Sequence, residues 1–356
     1  MLFKTRPTED HIRAALQGIV SADMIGAVQV TPDNDAIVTL EIDPASGTQF
    51  EATRQTVEQA VALVKGVKKA LVVLTAERAM KKAAPTKAAP LEIPGVKKII
   101  AVASGKGGVG KSTVAANLAV ALSQLGQKVG LLDADIYGPS VPRLMGIPHA
   151  KPQQSGNKLI APEAHGLKVM SMGFMVDEAA PMIWRGPMVQ SALLQMLRDV
   201  DWMGLDILVI DMPPGTGDAQ LTLAQKVSLA GAVIVSTPQD IALIDARKGL
   251  EMFRKVAVPI LGIVENMSYY CCPQCGHRAD IFGHGGAKAE AEKLGAPFLG
   301  EVPLHAMIRE VSDAGVPIAL KGRDDHHAKT FYEIAVKVLS GLETSSRAAP
   351  VITIET

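Results

Sequence analysis

The sequence predicts an α/β protein: a mostly parallel sheet with helices on both faces, preceded by a small α/β unit. Three observations predict it. From residue 97 onward, short runs of Val, Ile and Leu recur without polar alternation, which suits strands buried on both faces. Helix-compatible segments lie between these runs, as crossover connections require. A stretch rich in Ala, Lys and Pro, residues 77–96, separates this repeating pattern from a shorter one before it.

The elements follow in order. EDHIRAALQGIV (9–20) has helical spacing. VQV (28–30) and AIVTLEI (36–42) read as strands around turn residues. QFEATRQTVEQAVALVKG (49–66) reads as a helix and KKALVVLT (68–75) as a strand. Residues 1–76 thus form a first domain, which carries no cysteine and little concentrated polar chemistry. That suits docking rather than catalysis. A flexible linker is expected over 77–96. The second domain, 97–342, offers strands KKIIAVAS (97–104), KVGLLDA (128–134), LKVMSMG (167–173), DILVIDM (206–212), GAVIVST (231–237), VPILGIVEN (258–266) and PFLGEVP (297–303). Residues 343–356 read as a loosely attached tail.

Bulk properties narrow the function. The 356 residues hold 36 Lys and Arg against 36 Asp and Glu, so there is no positive excess of the kind a nucleic-acid binder carries. No segment reaches about 18 consecutive apolar residues, so no membrane span is expected. Three cysteines do not make a disulfide framework, and MLFKTRPTED lacks the apolar run of a secretion signal. A reducing, cytoplasmic setting is the expectation, and there cysteine pairs tend to serve metals or catalysis.

ASGKGGVGKST (103–113) is the strongest motif. It follows an apolar strand and precedes the helix-compatible run VAANLAVALSQL. Gly105, Gly107, Gly108, Val109 and Gly110 supply backbone N–H groups that curl around an anion, and the next helix adds its N-terminal partial charge. Lys111 would reach the β and γ phosphates of ATP. The Ser112 hydroxyl would bind magnesium, with Thr113 shaping the turn. Lys106 is a second lysine at the start of the loop. A positive group there would stabilise charge on the transferred phosphoryl, within its own chain or across a dimer.

Acidic residues at two strand ends suit the same reaction. Asp211 ends DILVID, placed to hold magnesium through water, and MPPGTGD after it makes a mobile loop able to sense a γ phosphate. In LLDADIYGPS, Asp135 is the candidate for orienting the attacking water, and Asp133 supports magnesium or the loop. Asn266, at the end of GIVEN, is placed to hydrogen-bond a base. Gln239, Glu301 and Pro303 are weaker candidates near the nucleotide.

YYCCPQCGH (269–277) contains all three cysteines. Cys272 and Cys275 form a CxxC pair, open to four readings: a buried structural turn, a redox pair, half a zinc site completed by His277 or His284, or half an iron–sulfur site. A polar turn of Pro, Gln, Gly and His belongs at the surface, which argues against burial. A twofold dimer would bring two such pairs together and make a bridged [4Fe–4S] cluster chemically reasonable.

With both motifs in view, the chain resembles the Mrp/ApbC family, ATP-binding iron–sulfur cluster carriers of the deviant Walker A class. GKGGVGKST, LLDADIYGPSVPRLMG, PMIWRGPM, DILVIDMPPGTGD, STPQDIALIDARKG, GIVENMSYYCCPQCG and IFGHGGAKAEAEKLGAPFLGEVPL carry the resemblance over about residues 95–320. It implies a P-loop NTPase fold of MinD/Mrp type and a homodimeric ATPase. Such an ATPase binds ATP, Mg2+ and a [4Fe–4S] cluster, and passes the cluster to apo client proteins, with scaffold proteins as further partners. It implies the signature lysine at Lys106, the phosphate-loop lysine at Lys111, the magnesium hydroxyl at Ser112 and the first-switch acids at Asp133 and Asp135. It also implies the Walker B aspartate at Asp211, the base contact at Asn266 and cluster ligands at Cys272 and Cys275. Cys271 lies outside the usual pair. The first domain is similar in size and order to MIP18-like (DUF59) domains. Such domains often carry a DPE-like stretch and a cysteine in a later TPGC-like stretch; this chain has SADMIG (21–26) and DPASGTQF (43–50), with no cysteine. The alternatives are a positioning or partition ATPase, and a zinc-stabilised scaffold. The CxxC pair and a short, nearly uncharged tail oppose the first; the lysines and aspartates of the phosphate site oppose the second.

Overall fold

A computed structural model of the chain describes residues 7–21, 24–31, 34–41, 51–75, 91–175 and 186–346. The chain divides into two compact units, Met1–Ala88 and Ala89–Thr356.

The first unit contains α1 (Glu9–Ala15), β1 (Ile25–Val30), β2 (Asp35–Glu41), α2 (Glu51–Ala62) and β3 (Lys69–Thr75). Thr8 and His11 form a reciprocal cap that starts α1, each side chain accepting from the other's backbone N–H. The helix is shorter than its apolar spacing suggests, and a bridge between Gln17 and Val20 follows it. β2 lies between β1 and β3, antiparallel to the first and parallel to the second, with α2 as the crossover. Ile12, Leu16, Val28, Val38, Leu40, Val57 and Val61 form its core. DPASGTQF lies outside the described residues.

The second unit starts with β4 (Val96–Ala103), α3 (Lys111–Gln124), β5 (Val129–Asp133) and the short α4 (Val141–Leu144). A hairpin of β6 (Gln153–Ser155) and β7 (Lys158–Ile160) follows, then β8 (Glu163–Ala164), β9 (Leu167–Ser171) and α5 (Gly186–Asp199). Next come β10 (Leu205–Asp211), α6 (Asp218–Lys226), β11 (Gly231–Ser236) and α7 (Asp240–Lys255). The unit continues with β12 (Ile260–Cys271), β13 (Arg278–Ala279), α8 (Gly286–Leu294) and β14 (Phe298–Leu304), and closes with α9 (Ala306–Asp313) and α10 (Lys329–Ser346).

The parallel strands lie in the order β14, β12, β11, β4, β10, β5, β9. β8 and β13 add antiparallel edges. β5 and β11 are buried at every position, which is why their sequences show no alternation. Strand order reverses on either side of β4, so the carboxyl ends of β4, β10 and β5 open at a switch point where ligands bind in such sheets. This is the α/β fold expected of a P-loop NTPase.

Three boundaries differ from the sequence reading. Leu91 pairs with Val227, and its N–H donates to the Lys226 carbonyl at 2.6 Å. Ile93 is buried in the core. Residues 91–95 are therefore docked rather than flexible, because two apolar side chains in an Ala-Lys-Pro background find the sheet. The rest of the expected linker, 77–90, lies outside the described residues. α10 runs through Ser346, past the expected start of the tail; residues 347–356 lie outside the described residues. β12 extends to Cys271, well beyond the expected 266. Among the described residues, no helix is long and apolar enough to cross a membrane.

Candidate functional site

β4 delivers the chain to the glycine loop, which is built by close approach. The Ser104 hydroxyl donates to the Lys106 carbonyl at 2.9 Å and starts the curl. A Cβ added at Gly105 would lie 2.1 Å from the Asp245 carbonyl oxygen on α7, so only glycine fits there. Gly110, with φ +78°, is left-handed, and a Cβ on it would come within 2.2 Å of Asn266 Nδ2. Gly107 and Gly108 are exposed at the open side, while the Val109 side chain is buried and anchors the loop to the core. No side chain caps the α3 N-terminus, which leaves first-turn N–H groups for an anion.

The Lys111 ammonium lies 2.6 Å from Asp211 Oδ1; the two side chains are 6% and 0% exposed. Ser112 Oγ is 3.3 Å from the same ammonium. Thr113 contributes its carbonyl, which accepts from Asn117 Nδ2 at 2.8 Å. Burial raises the Asp211 carboxyl above its usual range, and Lys111 opposes that rise. Asp211 Oδ2 is buried and has no hydrogen-bond partner. An orphaned carboxylate oxygen beside a serine hydroxyl is the donor set a hydrated magnesium ion requires, so the residues present fit that ion.

Asp133 pairs with Asp211 across adjacent strands. Its Oδ1 accepts from the Asp135 N–H at 3.0 Å, and Oδ2 accepts from the Val141 N–H at 3.2 Å and the Ser171 hydroxyl at 3.0 Å. Both oxygens are committed to holding the loop 134–141, so the geometry favours the loop over magnesium for this residue. Burial, then the Asp211 carboxylate, push its carboxyl up to about 7. Asp135 is half-buried, and burial raises its carboxyl too. It lines a cavity of about 270 Å³ with Tyr137, Gln190, Pro213, Gly217 and Gln220. Lys106 is half-buried at the loop mouth.

Asn266 Nδ2 donates to the Val109 carbonyl at 2.8 Å, tying β12 to the phosphate loop. Its neighbour Glu265 was missed by sequence reasoning, although a lone charge inside an apolar run was the available signal. Glu265 is fully buried. Its Oε2 accepts from the Ala287 N–H at 2.6 Å, and its Oε1 accepts from the Ser268 hydroxyl at 2.6 Å. It fastens the middle of β12 to the first turn of α8. Gln239 is exposed and precedes α7, where its Oε1 accepts from the Thr237 hydroxyl. Pro303 is buried on β14.

Met267 has φ +54°, and pairing with β14 shifts register between Asn266 and Tyr270. Beyond this irregularity β12 continues as one arm of a hairpin with β13, Cys271 opposite Arg278. The Cys272 N–H donates to the His277 carbonyl, and the Gly276 N–H to the Cys272 carbonyl, both at 2.9 Å. The Cys271 thiol donates to the Gly276 carbonyl at 3.6 Å. Cys271 therefore braces the turn. Backbone N–H groups of Cys275 and Gln274 donate to the Cys272 sulfur and hold its thiol below its ordinary range. Cys275 is exposed.

The hairpin base is held from outside. The Arg278 guanidinium sits 3.9 Å from the Tyr269 ring centroid, 3.2 Å from Asp280 and 3.5 Å from Glu301. Glu301 thus serves the cysteine hairpin rather than a base. His284 lies against Arg278 and Asp280, turned to that network. Among the described residues, no group of three or more His, Cys, Asp or Glu side chains is placed to hold a metal ion.

Residues 95–339 match the family described as ParA: NUBPL iron-transfer P-loop NTPase. The chain is 55% identical over 253 residues to the iron–sulfur cluster transfer protein NUBPL of Dictyostelium discoideum, covering 70% of this chain and 78% of that protein. It is 55% identical over 264 residues to the iron–sulfur cluster carrier protein of Pseudomonas fragi, covering 73% of this chain and 92% of that one. Among solved structures, a nucleotide-binding protein from Archaeoglobus fulgidus in complex with ADP aligns with a TM-score of 0.56 and 43% identity. That alignment covers 62% of this chain and 87% of the archaeal one.

Proposed function

The chain belongs to the NUBPL iron-transfer P-loop NTPase family, and from that premise we propose an ATP-dependent iron–sulfur cluster carrier whose cargo is shared between two copies. One observation carries the reading. β12 carries both sites: it leads from Asn266, bonded to the phosphate loop, through the left-handed Met267 to Cys271 at the start of the CxxC turn. Five residues at strand rise span at most about 17 Å, so the two sites are joined by one short stretch of chain.

At the nucleotide end, Lys111 and the loop N–H groups hold the phosphates of ATP. Ser112 and Asp211 hold magnesium, which screens the phosphate charge. Asp133 keeps the loop 134–141 in place. Asp135 faces the attacking water, and Lys106 meets charge developing on the γ phosphate. Asn266 reaches the base. A base that draws Asn266 off the Val109 carbonyl would loosen the tie between loop and strand. The pull would travel through Met267 to the cysteine turn.

At the cargo end, Cys272 and Cys275 give two thiolates to a [4Fe–4S] cluster that takes four. A second copy supplies the other two across a twofold axis. Cys275 is exposed and Cys272 half-buried, which leaves the turn open for handover to an apo client protein. The first unit resembles MIP18-like domains in element order; it has no cysteine, so client recognition is its proposed role. Work in the cytoplasm fits a cargo that needs reduced thiols.

Anaerobic reconstitution with iron and sulfide tests the reading. About four irons per dimer are expected, lost in Cys272→Ala and in Cys275→Ala, with transfer rates that differ among ATP, ADP and no nucleotide. Stoichiometric zinc without a cluster would overturn the cargo. Equal transfer rates would overturn the coupling.

A further inference from the structure

β12 makes a contact that a regular strand cannot. Successive side chains of a strand point to opposite faces, and residues three apart sit about 10 Å from one another on opposite sides. Yet the Ser268 hydroxyl donates to Glu265 Oε1 at 2.6 Å. Met267 between them, with φ +54°, turns the chain and makes this possible. A left-handed residue other than glycine is uncommon and persists only where its surroundings hold it. The same turn brings two consecutive side chains to the phosphate loop. Asn266 Nδ2 donates to the Val109 carbonyl, and a Cβ built on Gly110 would meet Asn266 Nδ2 at 2.2 Å and the Met267 methyl at 3.6 Å.

Glu265 closes this joint. Glu265 and Ser268 are both fully buried. The second carboxylate oxygen, Oε2, accepts from the Ala287 N–H of α8 at 2.6 Å. Residues 265–268 and the first turn of α8 are thereby clamped together. The loop before α8 carries Asp280 and His284, whose side chains lie against Arg278 of the cysteine hairpin. A displacement of Asn266 therefore has two routes to the hairpin, along β12 and through α8. Without the clamp, rotation about the Met267 backbone would absorb it.

We propose that Glu265 is a positioning residue that couples the two sites: by holding Ser268 and Ala287 it makes the Met267 turn a stiff joint, so that a change at Asn266 reaches the CxxC turn. The inference rests on the coupled-carrier reading above, and it names the part that does the coupling. Glu265 and Ser268 touch neither nucleotide nor cargo in this role. They decide whether the nucleotide end and the cargo end move together.

The test uses the full chain carrying Ser268→Ala, which removes the hydroxyl and leaves Glu265 on α8. Both ends should survive, with ATP turnover within about twofold of the unsubstituted chain and about four irons per reconstituted dimer. The ratio of cluster-transfer rates with ATP and without nucleotide should fall to about one. A ratio kept at the unsubstituted value overturns the proposal. So does a loss of iron or of turnover together with the ratio, which would make the clamp a support for the fold alone. Should Ser268→Ala fail to melt cooperatively, the volume-matched pair Ser268→Thr and Ser268→Val decides. The first keeps a hydroxyl and should keep the ratio, the second should lose it, and equal ratios overturn the proposal. If the unsubstituted chain itself transfers cluster equally fast with and without ATP, the coupling reading fails and takes the proposal with it; nucleotide dependence in both chains overturns the proposal alone.

Discussion

The phosphate loop and the cysteine hairpin meet the same strand and are held by opposite means. The loop is fixed by long-range contacts: Lys111 on Asp211, Gly105 beneath Asp245, Val109 bonded to Asn266. The hairpin is fixed almost locally, by hydrogen bonds among residues 271–277 and by Arg278, whose side chain is 42% exposed. A site that stabilises charge on a reacting phosphoryl works best dry and preorganised. A site that passes cargo on must stay open to a second molecule. On the proposed reading the chain meets both demands along β12, which is buried from Leu261 to Asn266 and half-buried at its Cys271 end.

Gly105→Ala probes the buried side and has the largest expected effect. Its Cβ would overlap the Asp245 backbone, which cannot yield as a flexible side chain could. Overpacking of this kind costs about 1–3 kcal/mol. ATP affinity should fall by at least tenfold, while iron bound by the reconstituted chain stays unchanged. Loss of both together would show that the two ends are one cooperative unit, and the contrast would break.

Arg278→Ala probes the exposed side. The cation–π contact and two partly exposed ion pairs are each worth at most about 1 kcal/mol. Cluster loss to a chelator should quicken a few-fold, ATP turnover should hold, and Arg278→Lys should recover part of the effect. A change in ATP affinity would extend the loop's dependence to the hairpin base.

The smallest effect concerns one thiol. The turn N–H groups that face Cys272 stabilise its thiolate, so deprotonation moves to lower pH. In the metal-free chain, alkylation of Cys272 should reach half its limiting rate below pH 9.0, the ordinary value for such a thiol. A midpoint at or above that value would mean the turn does nothing to prepare the ligand.

The buried strands were legible because β4, β10 and β11 run between layers of helix and need no polar face. The glycine loop was legible because its spacing meets a backbone requirement within a few residues. The extension of β12 was not. Asn266 and Met267 interrupt the apolar run, and the strand resumes only because β13 folds back on Tyr270 and Cys271. The docking of Leu91 and Ile93 was hidden in the same way, since two apolar residues gain meaning only from the surface that receives them.

The sequence by itself determined what depends on neighbours along the chain: a phosphate loop before a helix, two thiols in one polar turn, strands buried on both faces. Tertiary structure alone decided what depends on register between distant segments. It committed Asp133 to its loop, left an oxygen of Asp211 and one of Gln220 unpaired, and joined the phosphate site to the cysteines through β12. The physical reason is reach. A turn is closed by hydrogen bonds a few residues apart, whereas the partner of a buried carboxylate is chosen by which strands lie side by side.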